Sequence, residues 1–204
     1  MQIDILLEEP SAEEALRNLL PKIIKGRARV NLINMRNKSR LLQELPARLC
    51  GYKRRIEAGE DLRLLILVDR DDDNCQDLKA NLERMAREAG LSTKSSPQEN
   101  GQFYVVNRIA IQELEAWFIG DIDALKKAFS SLSGVSFPKS FQNPDKCGKW
   151  EILHRFLRQN GIYRSNYPKI EAARKISQQI EISHNRSKSF QHFCHGLESI
   201  LTRA

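Results

Sequence analysis

The chain has 204 residues, of which 41% are hydrophobic and 29% charged, and it carries a formal net charge of +7. This composition predicts a single globular domain, and the basic excess favours a polyanionic partner. The sequence has neither an apolar run of membrane-spanning length nor a secretory leader, so we expect a cytoplasmic protein with no membrane contact. Its four cysteines are scattered and form no C-x-x-C pair, so the sequence indicates neither a zinc knuckle nor a disulfide framework.

Strand and helix patterns alternate through the first half of the chain. Strands are predicted at 3–7, 30–34, 64–68 and 103–111, with helices at 11–25, 41–57 and 74–90 between them. Ser11 is the predicted N-cap of the first helix, because Glu14 follows it at the spacing of a capping box.

The second half of the chain is predicted to be mainly helical. Helices are expected at 122–129, with Asp121 as the cap, and at 149–159, 168–182 and 190–202, with a long surface loop over 130–149. The whole pattern predicts an α/β fold with a parallel-rich sheet of about four strands flanked by helices. We expect an α/β core over 1–120 and a helical extension over 121–204 that packs on it.

An apolar strand that ends in acid is the most informative motif. Leu64 to Val68 reads as a strand buried on both faces, and Asp69 and Asp71 follow it directly. In extended chain these two carboxylates point the same way and can converge on one hard cation such as Mg²⁺, with Asp73 as a further candidate ligand. The alternative is a solvated turn followed by a helix N-cap.

A second acidic strand end is expected beside the first. Glu8 follows the first strand, and two parallel strands joined through a helix would bring it close to Asp69 and Asp71 at one edge of the sheet. Three carboxylates there would repel one another unless a metal ion or a basic group lies between them. Of the adjacent pair Glu8 and Glu9, we expect one to point to solvent.

Basic residues concentrate in the loop at 35–40 and in the helix that follows it. Such groups suit contact with phosphates, although a helical protein also has solvated basic outer faces. The candidate nucleic-acid-binding residues are Arg36, Lys38, Arg40, Lys53, Arg54 and Arg55.

A glutamate after the first strand and an Asp-x-Asp after a later strand resemble the Toprim signature of topoisomerases, primases and overcoming-lysogenization-defect (OLD-like) nucleases. A closer resemblance is to a bacterial Toprim-like family of unknown function, often encoded beside ABC-type ATPases. Its marks here are Val68-Asp69-Arg70-Asp71 with Cys75, then Ile111 to Phe118, Tyr167-Pro168-Lys169 and Ser187 to Phe190. Glu9 stands where Toprim proteins usually have glycine, and Ala12 stands where OLD-like nucleases have an acid.

The resemblance implies a metal-dependent nuclease that uses one or two Mg²⁺ or Mn²⁺ ions. Glu8, Asp69 and Asp71 would bind the first ion, and Glu115 or Glu113 would join Glu8 at a second. Acids in a first helical turn are also favoured by the helix dipole alone, which is the structural alternative for Glu113.

Lys169 would hold the scissile phosphate in the same reading, whereas the alternative is a solvated lysine at a helix start. The sequence contains no Walker loop, so an ATPase activity would come from a partner. The resemblance also implies a role in anti-phage defence and leaves the oligomeric state open. Two other hypotheses are a non-catalytic subunit that binds nucleic acid or an ATPase, favoured by Glu9 and Ala12, and a phosphatase or nucleotide-processing enzyme.

Overall fold

A four-stranded parallel sheet forms the centre of the computed structural model, which describes residues 1–202. The strands are β1 (Gln2–Leu7), β2 (Arg29–Asn34), β3 (Leu62–Asp69) and β4 (Val105–Ala110). Their order across the sheet is β2-β1-β3-β4, and each neighbouring pair is parallel. The predicted α/β fold is therefore confirmed.

Helices account for most of the rest of the described chain. They are α1 (Pro10–Ile24), α2 (Lys38–Glu57), α3 (Cys75–Glu88), α4 (Glu115–Ile119), α5 (Ile122–Ala128), α6 (Pro144–Cys147), α7 (Trp150–Gln159), α8 (Lys169–Gln179) and α9 (Lys188–Leu201), with short 3₁₀ turns at Ser130–Leu132 and Lys139–Gln142. Apart from the segment at 130–149, the predicted elements are present, and their ends lie within three residues of the predicted ones. No helix within residues 1–202 is both long enough and apolar enough to cross a membrane.

Two hydrophobic clusters cover the two faces of the sheet. Helices α2 and α3 pack on one face against Leu64, Ile66 and Val68 of β3. Leu65 and Leu67 of the same strand belong to the larger cluster on the other face, together with residues of α1, α4, α8 and α9. Every residue of β3 is buried, which confirms the prediction of a strand covered on both faces.

Helix α8 lies along α1. The Nζ atom of Lys22 in α1 donates to the carbonyl oxygens of Gln178 at 2.7 Å and Ile180 at 2.8 Å, so it closes the last turn of α8. Near the other end, Arg174 Nε donates to Glu14 Oε2 at 2.9 Å. These contacts hold the two helices with their N-termini at the same end of the molecule. The proposed division into parts 1–120 and 121–204 stays a prediction.

Two local predictions were wrong. The first concerns the start of α1, for which Ser11 was the predicted N-cap. The helix begins at Pro10, because proline fits the first helical position, and Glu9 is the N-cap residue. Ser11 is buried and donates a hydrogen bond to the Glu9 carboxylate instead of capping the helix.

The segment 130–149 is not a long surface loop. Leu132, Phe141 and Cys147 are buried there, and Phe141 packs edge-on against Phe156 at 5.2 Å between ring centroids. The prolines that suggested a loop are compatible with this structure, since Pro144 starts α6. Asp121 is the cap of α5 as predicted, and its Oδ1 accepts from the backbone N–H of Ala124 at 3.0 Å.

Candidate functional site

The carboxyl ends of β1 and β3 bring Glu8 and Asp69 together. Leu7, the last residue of β1, pairs with Leu67 of β3, so Glu8 and Asp69 leave neighbouring strands at the same edge of the sheet. Only 8% of Glu8 and 7% of Asp69 is exposed. The expected convergence of the two strand ends is present.

Burial dominates the electrostatics of both groups. It raises the pKa of Glu8 to about 8, against the opposing effect of the Lys38 ammonium, and Glu8 Oε2 is buried without a hydrogen-bond partner in residues 1–202. Burial also raises the pKa of Asp69 well above its ordinary value, and the negative charges of Glu8 and Glu9 raise it further. Without a cation, both carboxyls are therefore held in an environment that disfavours ionisation.

Glu115, the first residue of α4, is more deeply buried than either. It is 1% exposed, and neither of its carboxyl oxygens makes a well-formed hydrogen bond among the described residues. Burial raises the pKa of Glu115 to about 8, while Lys169 lowers it and Glu9 raises it. The Tyr167 hydroxyl is the polar group that lies beside Glu115. Burial raises the pKa of that tyrosine, and the charge of Glu115 and a hydrogen-bonding interaction with its carboxyl raise it further.

Glu113 has one oxygen committed to the fold. Its Oε2 accepts a hydrogen bond at 2.9 Å from the backbone N–H of Trp150, the first residue of α7. Burial raises the pKa of Glu113, and this hydrogen bond opposes the effect. The Glu113 carboxylate thus stabilises the start of α7. The structural alternative placed Glu113 in a first helical turn, but Glu113 precedes α4, which begins at Glu115.

Asp71 and Asp73 are turned towards a lysine. Lys38 Nζ lies 2.5 Å from Asp71 Oδ2 and 3.0 Å from Asp73 Oδ2. The expectation that Asp69 and Asp71 point the same way assumed extended chain, but Asp71 has a left-handed backbone with φ 50°. Asp69 therefore lies in the buried site, whereas the Asp71 side chain is 49% exposed and pairs with Lys38.

Lys169 enters the cluster from the N-terminus of α8. Its Nζ lies 3.7 Å from Glu9 Oε2, and its charge also faces Glu115, Glu113 and Asp69, which together raise its pKa against the opposing effect of burial. The expectation that one of Glu8 and Glu9 points to solvent was wrong, because Glu9 is also part of the cluster. The sequence signal for this placement of Glu9 was its position directly before Pro10, the first residue of α1.

Three loops at this edge share an uncommon backbone conformation. Arg36, Asp71 and Gln112 each lie two residues after the last residue of a strand, and each has positive φ, at 74°, 50° and 63°. The Gln112 carbonyl accepts from the Asp71 N–H at 2.8 Å, and Gln112 Oε1 is buried without a partner in residues 1–202. Such conformations concentrate at functional sites. Gln112 lies within the Ile111 to Phe118 motif but was not among the predicted site residues.

The predicted nucleic-acid-binding residues fall into three groups. Arg40 pairs with Glu44 at 2.6 Å, Lys53 with Glu57 at 3.0 Å and Arg55 with Glu60 at 2.6 Å. Arg36 and Arg54 are exposed and form no ion pair within residues 1–202, while Lys38 belongs to the acidic site.

A comparison with models of protein families gives a match to nearly the whole chain. The model of the domain of unknown function DUF4276 matches residues 7–198, from the end of β1 to α9. The chain belongs to the DUF4276 family. Neither the comparison with curated proteins nor the comparison with solved structures gives a match. The relation to Toprim proteins stays a prediction.

The donor atoms of this DUF4276 chain suit a hard cation. Carboxylate oxygens are the ligands that Mg²⁺ and Mn²⁺ prefer, and Glu8 and Glu115 offer buried oxygens with no other partner. As the side chains of residues 1–202 stand, no three acidic, histidine or cysteine residues form a ready-made metal group. Lys38 and Lys169 supply the positive charge in this arrangement.

Proposed function

We propose that the protein is a metal-dependent nuclease that hydrolyses phosphodiester bonds in DNA or RNA. The observation that carries the proposal is a cluster of three buried carboxyls: Glu8 and Asp69 at the carboxyl ends of parallel strands, and Glu115 at the start of α4. Oxygens of Glu8 and Glu115 make no well-formed hydrogen bond within residues 1–202. Open α/β sheets bind their ligands at this edge, and strongly shifted pKa values cluster at functional sites.

The energetics of the cluster favour a cation. A buried polar atom without a partner destabilises the fold by about 1–3 kcal/mol, and a charged one by more. Glu8 and Glu115 contribute three such oxygens. A divalent ion of +2 charge, bound between these carboxyls, would satisfy those oxygens and remove the repulsion among them. Purely structural residues at these positions would gain more stability as apolar side chains.

Different residues of the chain would bind the metal ion and stabilise the phosphate. A bound divalent ion would polarise a phosphoryl oxygen and lower the pKa of a bound water. Glu8, Asp69 and Asp71 would hold one ion, and Glu115 with the free oxygen of Glu113 could hold a second. Lys169, at the N-terminus of α8, would neutralise charge that develops on the phosphate, and the helix dipole has the same sign.

Substrate binding would come from exposed basic residues. Arg36 lies at the strand edge that carries the acidic cluster, and both Arg36 and Arg54 are available for phosphate contact. The proposal has four further elements: a Toprim-like ancestry, an ABC-type ATPase partner, a cytoplasmic location and a role in anti-phage defence. These four elements rest on the resemblance of the motifs alone.

A second candidate function is a non-catalytic subunit that binds nucleic acid or an ATPase. The observation that favours it is the pairing of lysines with the acidic cluster, which balances the charges without a metal ion.

The test is incubation of the purified chain with supercoiled plasmid and with structured RNA, each in Mg²⁺, in Mn²⁺ and in chelator. Asp69→Asn keeps the shape of the side chain and removes its charge, and Asp123→Asn is the matched control at an exposed acid in α5. We expect metal-dependent cleavage by the wild type and the control, and none by Asp69→Asn. Unchanged cleavage by Asp69→Asn, or no metal binding by calorimetry, would overturn the proposal.

A further inference from the structure

The ammonium group of Lys38 is surrounded by oxygen atoms. Besides Asp71 Oδ2 at 2.5 Å and Asp73 Oδ2 at 3.0 Å, it contacts the carbonyl oxygen of Arg70 at 3.3 Å. Two carboxylates and a backbone carbonyl are the donor types of a site for a hard divalent cation. The lysine side chain is only 17% exposed, so the ammonium is largely withdrawn from water.

Glu8 provides an independent sign that a ligand is missing beside this lysine. It is nine-tenths buried, its Oε2 has no partner in residues 1–202, and it interacts electrostatically with both Lys38 and Asp71. The lysine therefore contacts the exposed half of an acidic site whose buried half is unsatisfied. A single ammonium group does not reach both halves.

Helix α2 gives no reason for a lysine at this position. Lys38 is the first residue of α2, where the helix dipole disfavours a positive charge, and the first turn holds no acidic residue. The helix is already capped by Asn37, whose side chain accepts from the Arg40 N–H at 2.8 Å. The favourable contacts of the Lys38 ammonium come from the β3–α3 loop.

We propose that Lys38 occupies the exposed half of the cation site, where it contacts Asp71, Asp73 and the Arg70 carbonyl, and that a divalent ion held by Glu8, Asp69 and Asp71 must displace it. This inference rests on the proposed function, because it describes how the same site is regulated. Asp71 and Asp73 are about half exposed, so water can replace the ammonium as it leaves. The displaced lysine stays at the edge of the site, where it can contact a substrate phosphate.

Calorimetric titration with MnCl₂ tests the inference on the full chain. Lys38→Met removes the ammonium and keeps the aliphatic stem, with Lys38→Gln as a second variant. The matched control is Lys149→Met, because Lys149 pairs with Asp72 at 2.7 Å in the same loop. That control removes the same charge from the same edge without freeing Asp71 or Asp73.

We expect Lys38→Met and Lys38→Gln to bind Mn²⁺ roughly tenfold more tightly than the wild type, the factor that one competing charged contact is worth. Lys149→Met should change the affinity by less than about twofold, because exposed pairs contribute little. Equal gains in Lys38→Met and Lys149→Met would overturn the inference, since they would reflect net charge alone.

The result separates the inference from the proposed function. If the wild type binds Mn²⁺ and the Lys38 variants bind it no more tightly, the inference fails and the metal site stands. If neither the wild type nor the variants bind Mn²⁺, both fail. Thermal melting of each variant without metal confirms that the binding measurements are made on folded protein.

Discussion

Glu113 Oε2 accepts a hydrogen bond from the backbone N–H of Trp150 at 2.9 Å, which ties the loop after β4 to the start of α7. Glu115, two residues later, has the buried Tyr167 hydroxyl beside its carboxyl group, and neither carboxyl oxygen makes a well-formed hydrogen bond within residues 1–202. Two acids of one short motif thus have different environments. One supports the fold, and the other remains available to a ligand.

This difference predicts separable effects of substitution. Glu113→Ala removes the acceptor and should lower the free energy of unfolding by about 1 kcal/mol, the usual effect of losing a helix cap. Glu113→Gln keeps an acceptor oxygen and should lower it by less. Glu115→Gln should leave stability unchanged or raise it, and should weaken Mn²⁺ binding more than Glu113→Gln does. Urea denaturation and calorimetry measure the two effects, and a reversed order would contradict this assignment.

Stability should depend on pH because burial raises the pKa of Glu8 and of Glu115 to about 8, above the ordinary value of 4.5. Above pH 8 these groups are ionised in both states, and the full penalty for burying the charge is present. As pH falls from about 8 towards 4.5, the folded state binds protons that the unfolded state does not, so the stability rises.

Chemical denaturation between pH 9 and pH 6 measures this dependence. We expect the metal-free protein to be more stable at pH 6 than at pH 9, and the slope to be smaller in Glu8→Gln and Glu115→Gln. Saturating Mn²⁺ should reduce the slope in the wild type, because the ion stabilises the ionised carboxyls. A flat or opposite dependence in the wild type would contradict the account.

Most of the α/β core could be predicted from the sequence because its signals are local. Strands such as β3 are continuous apolar runs, and Asp121 has the residue type and position of a helix cap. The segment 130–149 could not, since its burial depends on contacts between Phe141 and Phe156 that no local pattern encodes.

The candidate site shows the same limit. Topology alone places Glu8 beside Asp69, because parallel strands end at a common edge. The direction of the Asp71 side chain depends on a left-handed backbone conformation. Aspartate can adopt this conformation, but the residue type alone does not predict it. The pairing of Lys38 and Lys169 with the cluster joins residues far apart in sequence, so it becomes visible only in the folded chain.

Two glycines should respond in opposite ways to alanine. A Cβ at Gly148 would lie 2.3 Å from the Ala116 Cβ, so Gly148→Ala must displace the helix that carries Glu115. We expect it to lower the free energy of unfolding by about 1–3 kcal/mol. A Cβ at Gly51, inside α2, meets no atom within 4 Å, and Gly51→Ala should raise it by about 0.5–1 kcal/mol. Thermal melts that show equal effects would contradict the packing described for α4.

Nucleic-acid binding should depend on the unpaired arginines. Arg36→Gln and Arg54→Gln should each reduce the slope of log affinity against log salt by about one, the effect of losing one phosphate contact. Arg84→Gln is the matched control, because Arg84 pairs with Glu88 at 2.7 Å on α3. Fluorescence anisotropy with a labelled duplex at several salt concentrations gives the slopes. A slope unchanged in both arginine variants would remove them from the binding surface.

In the proposed site, the buried carboxyls at the ends of β1 and β3 hold a divalent cation. A crystal structure determined in the presence of MnCl₂ would locate this ion through the anomalous scattering of manganese. We expect an anomalous peak within bonding distance of Glu8 and Asp69, with the Lys38 ammonium displaced from Asp71. Saturating Mn²⁺ without a peak at these carboxyls, and with Lys38 still paired to Asp71, would contradict it.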